Sequence, residues 1–172
     1  CGLHAGFAQR PPITTLACCR LLRTLPLRSG VYRIAQRLKK WVPQGQDLIA
    51  RLANGDEIEI DPSDIDGRLL LLFGTPDPKI VEVCQALCRP GEFLLDIGAN
   101  LGGVGFFARQ AVGQRGRVLM FEPNPQLCQR LRKCINKQGI ANVDVHSVAL
   151  LDRDGTMDLA VSPRQTGAGR LD

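Results

Sequence analysis

From residue 93 onward the chain alternates between two textures. Short apolar runs at 93–97 and 117–121 and an extended segment at 143–150 read as strands of a parallel sheet. Between them, residues 101–112 and 125–137 place apolar side chains three and four apart and predict helices. Strand, helix, strand, helix, strand is the order of an α/β fold with a parallel sheet and right-handed crossovers, its first three strands lying side by side as 3-2-1. A last extended piece, 156–161, follows the Asp152-Arg153-Asp154-Gly155 turn and reads as a hairpin or edge addition. Residues 167–172 carry no cap or periodic signal. The alternation stops after half of a doubly wound sheet, and with Cys1 at the front the chain is expected to be a piece of a longer one.

Ahead of the alternation, 48–52 and 58–60 flank Asn54-Gly55-Asp56, a strong hairpin signal. The apolar run 69–73 is expected to add a strand. Gly74-Thr75-Pro76-Asp77-Pro78 then predicts a turn, with Thr75 or Asp77 capping a helix to about Cys88, and Arg89-Pro90-Gly91 stops it. Earlier still, Val31, Ile34, Ala35, Leu38 and Trp41 fall at helical spacing with Arg33, Arg37, Lys39 and Lys40 around them, predicting an amphipathic basic helix that ends at Pro43-Gln44-Gly45. Its basic face fits a membrane surface, a nucleic acid, or a helix laid on the domain with its charges in water.

Charge changes this picture by splitting the chain. Residues 1–46 hold eight basic side chains and no acid, whereas the remainder holds 14 basic against 17 acidic. The division predicts a basic helical leader over 1–46 and a slightly acidic globular part over 47–172, which argues against nucleic acid as the partner. With 172 residues, 44% apolar and 23% charged, the chain excludes disorder, collagen and a membrane bundle. No apolar run approaches the roughly 20 residues that span a bilayer. Arg20 and Arg23 interrupt the apolar stretch 13–27 and spoil a signal-peptide core, so the cytoplasm is the default location. Seven scattered cysteines make an odd count that does not read as a disulfide framework, and Cys84 and Cys88 lack the second ligand pair of a zinc site, so no metal is expected.

The chemistry concentrates in Phe-Leu-Leu-Asp-Ile-Gly-Ala-Asn-Leu-Gly-Gly, residues 93–103, where an apolar strand ends in an acid, turns through glycines and enters a helix. At the carboxyl end of a parallel strand the next helix directs backbone N–H groups into a crevice, and Gly98 and Gly102 would let a ligand approach the main chain. Asn100 stands where a dinucleotide fingerprint needs its second glycine, and no Gly-Lys-Ser or Gly-Lys-Thr follows, so neither a nicotinamide nor a phosphate loop fits. The second strand ends at Glu122, 20 residues after Gly102, where a carboxylate can accept both hydroxyls of a ribose. The two motifs together predict adenosine binding.

Asp-Ile-Gly-Ala-Asn-Leu-Gly-Gly followed by Phe-Glu-Pro-Asn-Pro resembles the FkbM-type S-adenosylmethionine-dependent methyltransferases over about residues 50–161. The resemblance implies a Rossmann-like sheet of the class I methyltransferase type, of which this chain carries the N-terminal half, and S-adenosylmethionine as cofactor. It implies that Asp96 and the turn through Gly98, Ala99, Asn100 and Gly102 hold the methionine part, and that Glu122 binds the ribose. Pro123 and Asn124 would lie along the adenine, and main chain near Ala149 would bound its far edge. Asp77 matches an acidic position that faces the methionine end in the family, or simply caps its helix. The implied reaction is methyl transfer to a hydroxyl oxygen of a small molecule or sugar. The alternative is a non-catalytic adenosine-binding module, because the family's acceptor-side Asp-x-Glu-Gly run does not occur here. His146 sits within a strand rather than past its end, and no residue is assigned a catalytic role. The oligomeric state is not legible.

Overall fold

A computed structural model describes residues 8–25, 30–162 and 165–171. The chain enters through helices α1 (Ile13–Thr24) and α2 (Val31–Arg37), the latter running into a 3-10 turn (Leu38–Trp41). An antiparallel hairpin, β1 (Leu48–Arg51) and β2 (Glu57–Ile60), precedes helices α3 (Ile65–Phe73) and α4 (Pro78–Leu87). The alternating part then runs β3 (Phe93–Ile97), α5 (Gly103–Val112), β4 (Arg117–Phe121), α6 (Pro125–Lys137) and β5 (Val143–His146). A second antiparallel pair, β6 (Leu159–Ser162) and β7 (Gln165–Leu171), follows.

The central sheet is parallel, with β4 between β3 and β5, so its strands lie 3-2-1 and the α/β class is as expected. Its register sorts the side chains onto two faces. Leu94 pairs with Val118 and Asp96 with Met120 on the face covered by α5, where Val118 and Met120 are fully buried. The opposite face presents Phe93, Leu95 and Ile97 to solvent, and beside them Phe121 stacks on His146 with ring centroids 4.9 Å apart. His146 is thus an exposed ring stacked on its neighbour across the strands.

The hairpin forms around Asn54-Gly55, where Gly55 takes a φ of 95° that the turn requires. Its turn is docked on α5: Asn54 Nδ2 donates to the Phe106 carbonyl at 2.8 Å, and Arg109 Nε donates to Asp56 at 2.8 Å. The hairpin therefore braces the helix that follows the glycine turn.

Three local expectations are corrected. Residues 69–73 are not a strand but the second half of α3, whose N-terminus is capped by Asp64 accepting from Asp66 N at 2.8 Å and whose C-terminus ends on Gly74 at φ 71°. Ile65 and Leu70 to Phe73 are all buried, and a helix wrapped on every side shows no amphipathic period, so its apolar run imitates a buried strand. The strand predicted over 143–150 ends at His146, because β4 offers its last ladder bond from Glu122 N to the His146 carbonyl and nothing beyond. Residues 167–171, expected to carry no element, belong to β7, and the extended piece expected over 156–161 is β6, which pairs with β7 in a separate two-stranded sheet rather than across the 152–155 turn or on the edge of the central sheet.

The amphipathic segment lies on the body of the protein. Ala35 is fully buried and Val31, Ile34 and Leu38 pack against the core, with Arg33, Arg37, Lys39 and Lys40 exposed. α1 is pinned by Arg23, whose guanidinium donates to the carbonyls of Leu71, Leu72 and Arg51 at 2.9, 3.3 and 2.8 Å and so satisfies orphan acceptors at the end of α3. Arg10 pairs with Glu57 at 2.6 Å.

Candidate functional site

The glycine turn lies between the carboxyl end of β3 and the start of α5. Gly98 and Gly102 both take φ 77°, and Asn100 takes φ 49°, the left-handed conformation that asparagine tolerates best after glycine. The turn is stitched to the neighbouring strand: Gly98 N and Ala99 N donate to the Phe121 carbonyl at 2.9 and 3.0 Å. Glu122 completes the joint. One carboxylate oxygen accepts from Asn100 N and the other from Asn124 N, both at 2.8 Å, and the side chain is buried. Each oxygen keeps a further lone pair, so a ligand hydroxyl can be accepted without breaking the clamp.

The two glycines do different work. A Cβ on Gly98 would meet nothing within 4 Å, so the main chain there is open to approach. A Cβ on Gly102 would lie 2.5 Å from Leu131 Cδ2 and 3.1 Å from Phe106 Cε2, so that glycine lets α5 and α6 close over the turn.

Beside the turn is a cavity of about 260 Å³. It is lined by Gly98, Ala99, Asn100 and Leu101 of the turn, by Leu69, Leu70 and Pro76, and by three acidic residues, Asp66, Asp77 and Asp96. Among the described residues no basic side chain lines it. Burial raises the Asp96 carboxyl above the ordinary aspartate range against the N–H of Gly105, which donates to Oδ2 at 2.9 Å, and nearby Glu122 raises it further. Asp66 is likewise raised, first by burial and then by Asp64, while its contact with Asn100 opposes the shift. Carboxylates held against desolvation attract a cation and repel phosphate.

Of the residues named from sequence, Asp96, Gly98, Ala99, Asn100 and Asp77 meet around this cavity, and Glu122 clamps its rim. Gly102 is buried behind it. Asp77 also caps α4, its Oδ1 accepting from Lys79 N at 2.8 Å. Asn124 caps α6, accepting from Gln126 N at 3.0 Å, with Pro123 half-buried before it, and neither lines the cavity. Ala149 is half-buried in the segment after β5, also outside the cavity lining.

Asp66 is the residue that sequence reading missed. It sits in the first turn of α3 and accepts from Asn100 Nδ2 at 3.2 Å, so it orients the one non-glycine side chain of the turn with positive φ. The Asp64-Ile65-Asp66 sequence carried the signal, since paired acids ahead of an apolar run mark a helix start; reading 69–73 as a strand hid it.

No family model matches the chain. A curated protein described as a probable cobalt-precorrin-6B C(15)-methyltransferase (decarboxylating) of Sulfolobus acidocaldarius is 30% identical over 67 residues, which cover 39% of this chain and 35% of that one. The C-terminal domain of precorrin-6Y C5,15-methyltransferase from Rhodobacter capsulatus superposes with a TM-score of 0.36 and 24% identity, over 42% of this chain and 40% of that one. A SAM-dependent methyltransferase from Aquifex aeolicus gives 0.37 and 23%, over 41% and 36%. The chain thus spans about a third of the length of the curated relative it matches.

Proposed function

We propose that this chain is the cofactor-binding half of an S-adenosylmethionine-dependent methyltransferase of the FkbM type. The observation that carries the reading is the cavity at the end of β3: an open glycine main chain, carboxylates of Asp96, Asp66 and Asp77, and Glu122 at the rim on the adjacent strand end. The donor set suits a ligand with a cationic amino-acid end and a ribose, and its negative charge is wrong for a nucleotide phosphate.

S-adenosylmethionine, when bound, supplies a methyl group already activated on a sulfonium. The chain's own part is to hold it. Asp96 and Asp66 attract the ammonium group, Gly98 leaves the space beside the turn open to the methionine part, and Glu122 accepts the ribose hydroxyls while bracing the turn. Pro123, Asn124 and the main chain near Ala149 form the adenine side. The acceptor in this reading is a hydroxyl oxygen of a small molecule or sugar, supported by the resemblance carried by residues 96–103 and 121–125. No residue of this chain is assigned to binding the acceptor or taking its proton.

Calorimetry with S-adenosylhomocysteine tests the reading. Binding is expected, weakened at least tenfold by Glu122→Gln, which keeps the shape and one acceptor but removes the charge. Absence of binding by a chain whose melt shows it folded would overturn it.

A further inference from the structure

α1 packs on α3 through one stripe, Thr15, Cys19 and Leu22, and leaves a second outside. Thr14, Ala17, Cys18 and Leu21, at helical spacing, form one wall of a groove of about 480 Å³ whose other wall is Leu38 and Trp41 of the 3-10 turn. The groove and its rim are apolar and open: Ile13 is 85% exposed, Leu21 66% and Trp41 70%. On α1, α2 and the 3-10 turn that runs on from it, Arg20, Arg33, Arg37, Lys39 and Lys40 are all exposed, and among the described residues none of the five is in an ion pair. No acid occurs anywhere in residues 1–46.

We infer that this face docks on an anionic phospholipid surface, with Trp41, Leu21 and Ile13 entering the headgroup boundary and the five cations meeting lipid phosphates and carboxylates. The charge is complementary in sign, and without a compensating acid it is not spent on the protein itself. Lys39 and Lys40 stand between Leu38 and Trp41 on one turn, and lysine stems can cover apolar surface while their charged ends stay in water. Tryptophan at such a rim is the side chain that the lipid–water boundary favours. A nucleic acid would use the cations equally well but has no use for exposed Ile13 and Leu21, and single-strand binding favours a platform of several aromatic rings, whereas the exposed rings among the described residues of this segment are Tyr32 and Trp41. The inference is independent of the cofactor reading, since the groove shares no residue with the cavity beside Asp96.

Trp41 is the single tryptophan of the chain and reports its own environment. With vesicles of phosphatidylcholine containing about 30 mol% phosphatidylserine, its emission is expected to move to shorter wavelength and to be quenched by brominated acyl chains, while pure phosphatidylcholine leaves it unmoved. Lys39→Glu/Lys40→Glu should weaken sedimentation with the anionic vesicles at least tenfold. Arg33→Gln/Arg37→Gln, on α2, should weaken it in the same direction and serves if the first pair melts early. Trp41 emission unchanged by the anionic vesicles overturns the inference. So does a salt-sensitive shift of the protein by single-stranded RNA with no vesicle binding, which would assign the face to nucleic acid.

Discussion

Alanine at Gly98 and alanine at Gly102 look alike in sequence and should part sharply in the protein. Both glycines take φ 77°, so each substitution places a Cβ in the left-handed region at a cost of roughly 1–2 kcal/mol. Restricting the unfolded chain gives back about 0.4–1 kcal/mol in each case. At Gly98 nothing else opposes the methyl group, and the net loss is about 1 kcal/mol. At Gly102 the methyl falls 2.5 Å from Leu131 Cδ2 and 3.1 Å from Phe106 Cε2, and Phe106 is fully buried, so overpacking adds about 1–3 kcal/mol. Urea unfolding should therefore show Gly102→Ala losing about 2–4 kcal/mol and Gly98→Ala about 1. Ligand affinity should rank the other way: Gly98 lines the cavity and a methyl there meets no protein atom, so under the proposed function S-adenosylhomocysteine should bind Gly98→Ala far more weakly, while whatever fraction of Gly102→Ala remains folded should bind nearly as well as the unmodified chain. Equal stability losses, or unchanged affinity in Gly98→Ala, would refute the division between an approach glycine and a packing glycine.

Asp96→Asn should separate charge from shape. Because burial raises the Asp96 carboxyl, the folded state binds more protons than the unfolded chain just above the ordinary aspartate range, and stability falls as pH rises through that window. Asparagine still accepts from Gly105 N, so thermal melts near pH 7 should be unchanged or higher, with less pH dependence just above the ordinary aspartate range, while affinity for S-adenosylhomocysteine drops at least tenfold. Arg109→Gln leaves the Asp56 carboxylate buried without its cation at the hairpin turn and should cost about 3 kcal/mol in urea unfolding; a loss under about 1 would show that Asn54 alone docks the turn. The open sheet face of Phe93, Leu95 and Ile97 should make the 172-residue chain self-associate in sedimentation velocity, and Leu95→Glu should suppress this; a monomer at concentrations on the order of 100 μM would remove the expectation.

The legible part of this protein is the part governed by local rules. The apolar runs ending in Asp96 and at Glu122, the helical spacing between them and the Asn54-Gly55 turn all report through nearest neighbours, and the parallel 3-2-1 sheet and the hairpin follow from them. The acid-ended strand followed by glycines likewise marked where a cavity opens, because that geometry needs only one strand, one turn and one helix.

What stayed hidden depends on chain segments meeting from far apart. α3 passed for a strand because its burial comes from α1, α2 and the hairpin, and a helix enclosed by other elements loses the periodicity that announces it. Asp66 reaches Asn100 across 34 positions of sequence, and Gly102 owes its necessity to Leu131 on a different helix, so no window around either residue could reveal its role. The leader's eight charges were plain in composition, yet only packing divides them: Arg10 and Arg23 are consumed in holding the leader to the body, while Lys39 and Lys40 are left beside an apolar groove. Periodicity and turn chemistry act over a few bonds and survive in the primary order; burial, ion pairing and the shape of a cavity are properties of what each side chain touches, and come into being only when the chain closes on itself.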